Sequence, residues 1–259
     1  MKIYLISHTK NPLKSIACSI LNIGIGKDIK SLDEINYNEA KKAFQDTCKS
    51  FLTSPLEFAT FNFFWQDIPL FMRTELERAR VGWSYAERSM RFYQAGKRDP
   101  VKKIDWKYFP SIKTKKQKEV FIKELKREMN YYELLKTHFK FDTQDARCVI
   151  GSWYGTALQT STNFRALRDT MALRFSSQAH PAWKDAANQI KTLITKVDKT
   201  LGDSLINICE LNQRCVWHSK MDRPCQDCIG KPWVQKPNHI HDFSKGKQCS
   251  CGEMESSRR

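Results

Sequence analysis

Apolar positions open the chain as a short continuous run over residues 2–6, then recur at helical spacing as Leu13, Ile16, Ile20 and Leu21 behind Asn11-Pro12. This pattern predicts a strand, a loop and a helix. From Phe58 to Trp65 the period becomes two: Phe61, Phe63 and Trp65 share one face and Thr60 and Asn62 the other, which predicts a strand with one buried side. Pro69 opens a predicted helix to about Arg80, stopped before Gly82. The segment Val81 to Ser89, rich in small and polar residues, reads as a ligand-binding loop.

Helical patterns are expected near residues 117–138 and 143–158. A further one starts near Thr162 as N-cap, with Leu167, Met171 and Phe175 on a core-facing stripe. Pro181 and Gly202 bracket a last long helix, whose Trp183, Ala187, Ile190, Ile194, Val197 and Leu201 keep helical spacing. The fold class is α/β (α+β), a mixed sheet flanked by helices. Beyond about Ser204 the composition changes, so the chain divides into residues 1–204 and a Cys/His-rich extension, 205–259. No internal repeat is visible.

The 259 residues, 41% hydrophobic and 12% aromatic, suffice for a core of their own. No apolar run approaches the roughly 20 residues of a membrane span. The opening residues lack the long apolar region and cleavage site of a secretory signal, so a cytoplasmic protein with reduced thiols is expected. The net charge of +16 raises the question of nucleic acid. Much of the excess sits between Lys97 and Glu128, twelve Lys/Arg against five Asp/Glu, as a solvated loop and charged helix would place it. A basic nucleic-acid-binding protein is kept only as an alternative.

The densest group of anion ligands is the stretch Arg78 to Arg91, joined later by Arg147, Asn163, Arg165 and Arg174. Guanidinium forks match phosphate oxygens in bidentate fashion, and serine hydroxyls add short hydrogen bonds. Arg78-Ala79-Arg80 followed by Ser84, Glu87, Ser89 and Arg91 resembles the signature of the flavin-dependent thymidylate synthases: Arg-His-Arg, a spacer, then Ser-x-x-Glu-x-Ser-x-Arg. The resemblance extends through Met1 to Pro12, Leu56-Glu57-Phe58, Asp145-Ala146-Arg147, Asn163-x-Arg165 and Leu173-Arg174, and so covers about residues 1 to 200.

That resemblance implies a thymidylate synthase-complementing-protein-like fold and a homotetramer with shared active sites. It also implies FAD as cofactor, with NADPH and methylenetetrahydrofolate as co-substrates and dUMP or another deoxypyrimidine monophosphate as substrate. By carry-over, Arg78, Arg80, Asn163, Arg165 and Asp169 contact the flavin. Glu75, Glu87, Ser89, Arg91, Arg147 and Arg174 surround the nucleotide, with Ser89, Arg91 and Arg147 at its phosphate. Arg174 is the catalytic candidate, because a fixed cation beside the ring stabilises the charge that develops on its carbonyls. Cys148, beside Arg147, reads as a small helix residue and not as a nucleophile.

The chain departs from the family pattern at Ala79 and Phe58, where histidines are usual, at an extra residue between Arg80 and Ser84, and at Glu75 and Asp169, where neutral polar groups are common. An Asp169–Arg165 salt bridge along the helix accounts for the second carboxylate. A cytosine nucleotide is the alternative, because a carboxylate only accepts hydrogen bonds. Loss of the histidines motivates a second alternative, in which water finishes the transferred carbon and gives 5-hydroxymethyl-dUMP.

Six of the nine cysteines and three of the six histidines lie in the last 55 residues. Cys225-Gln226-Asp227-Cys228 has the two-residue spacing of a zinc knuckle. With Cys249, Cys251 and His241 it offers a tetrahedral structural zinc site, and Cys209, Cys215 and His218 are reserves.

Overall fold

The strands that form are rich in β-branched or aromatic residues, which pack well on a pleated surface. The computed structural model describes residues 1–50, 52–89, 104–216, 226–229 and 231–232. Its strands are β1 (Lys2–His8), β2 (Thr60–Pro69), β3 (Trp83–Glu87) and β4 (Gly155–Asn163). They form one sheet in the order β1-β2-β4-β3, antiparallel at every pairing. The α/β class with flanking helices is as expected; the sheet is antiparallel throughout and not mixed. On β2, Phe61, Phe63 and Trp65 are fully buried, the face that the two-residue period assigned. The Trp65 indole N–H reaches the Thr160 hydroxyl at 3.0 Å, so the one polar atom of that ring is satisfied inside the core.

The helices are α1 (Pro12–Ser19), α2 (Tyr37–Lys49), α3 (Leu70–Leu76), α4 (Lys115–Thr137), α5 (Thr143–Ala146), α6 (Phe164–Arg174), α7 (Pro181–Val197), α8 (Lys199–Asp203) and α9 (Ile208–Leu211). A chain of rings, Phe61–Phe164 at 6.0 Å and Phe164–Phe44 at 6.1 Å, joins the sheet to the start of α6 and to α2. Trp183, Ala187, Ile190 and Ile194 of α7 are buried as their spacing requires. The Gln189 side chain accepts from the Ile3 N–H at 3.0 Å, which ties α7 to β1.

Several expectations are corrected. The pattern at 143–158 yields only the single turn α5, a 3-10 turn at Arg147–Val149 and then β4. Thr156, Thr160 and Thr162 are buried in that strand, where β-branched side chains pack well on a pleated surface. The N-cap of α6 is Asn163 and not Thr162; its side-chain oxygen accepts from the Ala166 N–H at 2.9 Å.

The segment expected as a loop carries β3. The predicted helix to Arg80 ends at Leu76, where the Tyr85 hydroxyl lies within hydrogen-bond reach of the Leu76 and Ala79 carbonyls at 2.7 and 2.6 Å. The last long helix breaks at Asp198, which caps α8 by accepting from the Leu201 N–H. Gly202 follows from that break, because a Cβ there would lie 2.1 Å from the Thr195 hydroxyl. Among the described residues no helix is long and apolar enough to cross a membrane.

Candidate functional site

α6 leaves the sheet at the end of β4 and carries Arg174 in its last turn. The Arg174 guanidinium lies 3.0 Å from a Glu75 oxygen of α3, and its central carbon is 4.2 Å from the Trp183 ring of α7. The Trp183 indole N–H donates to the same Glu75 oxygen at 2.7 Å. Three helices therefore fix one cation by a carboxylate and an aromatic face. Burial pulls the Arg174 pKa down and Glu75 opposes it, while the buried Arg174 Nε finds no partner among the described residues. His180, against Phe71 with ring centroids 5.1 Å apart, is also held below the usual histidine range by burial, again opposed by Glu75.

Two residues earlier on α3, Arg73 pairs with Glu87 of β3 and lies 3.6 Å from Glu77. Sequence reading had picked out Glu87 and missed Arg73. Its signal was the spacing of Arg73 and Glu77, four residues apart on a helix. Above them Trp83 and Tyr85 stack with centroids 6.0 Å apart and planes 3° apart, and the Trp83 indole donates to Thr170 of α6 at 3.1 Å. β3 is thereby locked against α6.

At the other end of α6, Asn163 meets the turn at Gly82 that follows Arg78 and Arg80. The Asn163 N–H donates to the Gly82 carbonyl at 3.1 Å. Gly82 has φ of +74°, and a Cβ there would lie 2.6 Å from that of Ala166, so the close approach requires glycine. Arg78 and Arg80 are exposed. Arg165 pairs with Glu57 at 2.7 Å, in place of the expected Asp169 bridge. Burial raises the Asp169 pKa, opposed by Arg168 and Arg165.

The residues expected at the phosphate are Ser89, Arg91 and Arg147. Ser89 is exposed just past β3, Arg147 is half-buried in the turn after α5, and Arg91 lies outside the described residues. Of the expected zinc ligands, Cys225, Cys249, Cys251 and His241 also lie outside them. Cys228 does not: its sulfur and those of Cys209 and Cys215, two of the reserves, lie within 4.8 Å of one another. Separately, a cavity of about 1010 Å³ between α2, α6, α8 and α9 is lined by Arg168, Lys41, Lys49, Lys199, Phe44 and Tyr37.

A family profile described as thymidylate synthase complementing protein matches residues 4–198. A search among curated proteins found no match. Among solved structures, the flavin-dependent thymidylate synthase ThyX from Helicobacter pylori, complexed with FAD and dUMP, is similar with a TM-score of 0.63 and 17% identity. That match covers 80% of this chain and 100% of the other. The UMP/dUMP methylase PolB from Streptomyces cacaoi, bound with 5-Br dUMP, gives 0.61 and 19%, covering 78% and 93%. Both likenesses are to fold, and the profile match spans the same residues as the separated motifs. The chain belongs to the thymidylate synthase complementing protein family, the enzyme family that those motifs resemble.

Proposed function

We propose that the chain transfers a one-carbon unit from methylenetetrahydrofolate to C5 of a deoxypyrimidine monophosphate, converting dUMP to dTMP. FAD is the bound cofactor and NADPH its reductant, in a cytoplasmic homotetramer whose active sites are shared between subunits. The observation that carries this reading is Arg174, a half-buried cation held over the Trp183 ring and against Glu75, with 23% of its side chain still exposed. A base carbonyl or ring nitrogen is the acceptor for the part of this cation that stays exposed. The solved relatives add support, since their descriptions name FAD, dUMP and 5-Br dUMP as bound.

The donor set also fits a flavin dinucleotide. Arg78 and Arg80 are exposed guanidiniums on the Gly82 turn, and that turn is packed against Asn163 at the N-terminus of α6, an end that favours anions. Arg165 is ion-paired with an exposed carboxylate, which a phosphate can replace at small cost. Asp169, with its raised pKa, accepts a proton more readily than an ordinary carboxylate and then donates like the neutral group usual there. FAD supplies the hydride when bound; the protein orients it and the nucleotide. Ser89, Arg91 and Arg147 hold the phosphate and Glu87 lies beside the nucleotide. Arg174 stabilises charge on the ring carbonyls as C5 attacks, having been oriented beforehand by Glu75 and Trp183.

Glu75 is already engaged by Arg174 and Trp183, so its carboxylate is accounted for without a cytosine amino group, and dUMP is favoured over dCMP. The hydroxymethylating reading retains one motive. Ala79 and the exposed Phe58 put apolar groups where the family has imidazoles, next to residues assigned to the flavin. Purified protein is expected to show flavin absorbance that bleaches with NADPH. Incubation with dUMP and the folate is expected to give the methyl product by mass spectrometry. A 5-hydroxymethyl product overturns the methyl assignment, and colourless protein with steeply salt-dependent DNA binding overturns the enzyme. Any metal in this reading is structural and outside the reaction.

A further inference from the structure

Among the described residues, the C-terminal extension has only a small apolar cluster of its own. Its described cluster consists of Cys209 and Cys228, 1% and 0% exposed, with Ile208, Cys215 and Val216 packed around them. Three of its five members are cysteines. Their sulfurs lie mutually within 4.8 Å, close to the ~3.8 Å separation of thiolates sharing one tetrahedral zinc ion. A disulfide would join two of the three, whereas a metal engages all three. So short a segment gains from a metal the folding energy that its core does not supply.

Two of these cysteines adjoin residues that grip the end of α6. Asn207 accepts from the Cys209 N–H at 2.9 Å and donates its amide to the Phe175 carbonyl at 3.3 Å. Asp227, next to Cys228, accepts from the Ser177 N–H at 2.7 Å and from the Ser176 hydroxyl at 3.3 Å. Phe175, Ser176 and Ser177 directly follow Arg174. The terminal carbonyls of a helix need outside partners, and here a side chain from the extension supplies one.

We propose that Cys209, Cys215 and Cys228 bind a structural zinc ion that clamps the extension onto the C-terminal end of α6 and so positions the turn carrying Arg174. The three thiolates supply three of the four positions of a tetrahedral zinc ion. Because the site is sulfur-rich and lies in the extension, away from the motifs matched to the family, the ion is assigned a structural role. The clamp acts through the two hydrogen-bonded bridges, Asn207 to Phe175 and Asp227 to Ser176 and Ser177.

The test uses the reduced full-length chain and does not pass through the nucleotide reading. Elemental analysis is expected to find about one zinc per chain, and Co(II) exchanged into the site is expected to give thiolate charge-transfer absorption. Cys209→Ser, Cys215→Ser and Cys228→Ser should each weaken metal retention ~10-fold or more, while Cys148→Ser, at an exposed cysteine outside the cluster, should retain the ion. Removing the metal with a chelator should speed amide exchange at residues 175–177 relative to α2. Failure of the reduced wild-type chain to take up added Zn(II), or full retention in both Cys209→Ser and Cys228→Ser, overturns the site. Metal binding with unchanged exchange at 175–177 overturns the clamp.

Discussion

Arg168 and Arg174 stand on the same helix, six residues apart; both bury an Nε without a partner among the described residues, and they differ in what else surrounds the charge. Arg174 has a carboxylate at 3.0 Å and an indole face at 4.2 Å, so its charge is balanced and its plane fixed before any ligand arrives. Arg168 is only 6% exposed, its Nε has no partner among the described residues, and it borders the cavity between α2 and α9. Its electrostatic neighbours are Asp169 and the Cys48 thiol, whose pKa burial raises and Arg168 lowers. The difference separates two ways of burying a guanidinium. One is organised toward a task, and the other carries a desolvation cost that its neighbours only partly offset.

The largest effect expected from this contrast is on turnover. Replacing Arg174 by Ala should lower kcat for the nucleotide reaction about 100-fold or more, the usual consequence of removing a group aimed at developing charge. Flavin retention should persist, since Arg78, Arg80 and Arg165 are untouched. Arg168→Met should leave kcat as it was. Wild-type turnover in Arg174→Ala under saturating dUMP would remove the arginine from the chemistry.

Stability should respond in the opposite order. A buried guanidinium without its full set of hydrogen bonds is often replaced without loss by an apolar side chain of similar volume. Arg168→Met is therefore expected to stabilise the fold by about 1 kcal/mol, or a rise of roughly 2–4 °C in Tm for a chain of this size. Removing Arg174 strands Glu75 and uncovers Trp183, so its Tm should fall. A drop in Tm for Arg168→Met would show that Asp169 and Cys48 hold Arg168 better than the absence of hydrogen bonds suggests.

Sequence alone revealed one side of this contrast. Arg174 was legible because it belongs to a spaced set of arginines, and the α7 stripe that supports it was legible from its period. Arg168 offered no such signal, because its burial depends on α2, whose pattern was not recognised, and on α8 and α9 beyond the matched family region. The helix expected at 143–158 failed for a related reason: a short apolar run is ambiguous between strand and helix until its pairing partner, here β2, is known. The loop expected at Val81 to Ser89 is mostly strand because Trp83 and Tyr85 find β4 and α6 to pack on. Glu75 drew attention as a departure from the family pattern, but its bonding to Arg174 and Trp183 joins segments about a hundred residues apart, which no local pattern encodes.

The smallest expected effect is a pH dependence confined to the Arg174 end. His180 caps α7 by accepting from the Ala182 N–H through Nδ1 at 3.3 Å, a role only the neutral ring can fill. Burial lowers its pKa in the folded state, with Glu75 opposing, so the unfolded chain binds the proton more readily. Stability is then fully present above about pH 6.5, the unfolded value, and is lost as pH falls toward the folded value. Asp169 near Arg168 acts with the opposite sign, since its raised pKa makes stability fall as pH rises, and so it cannot imitate the histidine. Thermal melts between pH 7 and 5 should show a modest decline that His180→Gln flattens. Because the Trp183 N–H bonds to the His180 carbonyl at 2.8 Å, fraying of this cap should also loosen the indole beneath Arg174, seen as a shift in tryptophan emission over the same range. An identical decline in the His180→Gln protein would place the titrating group elsewhere.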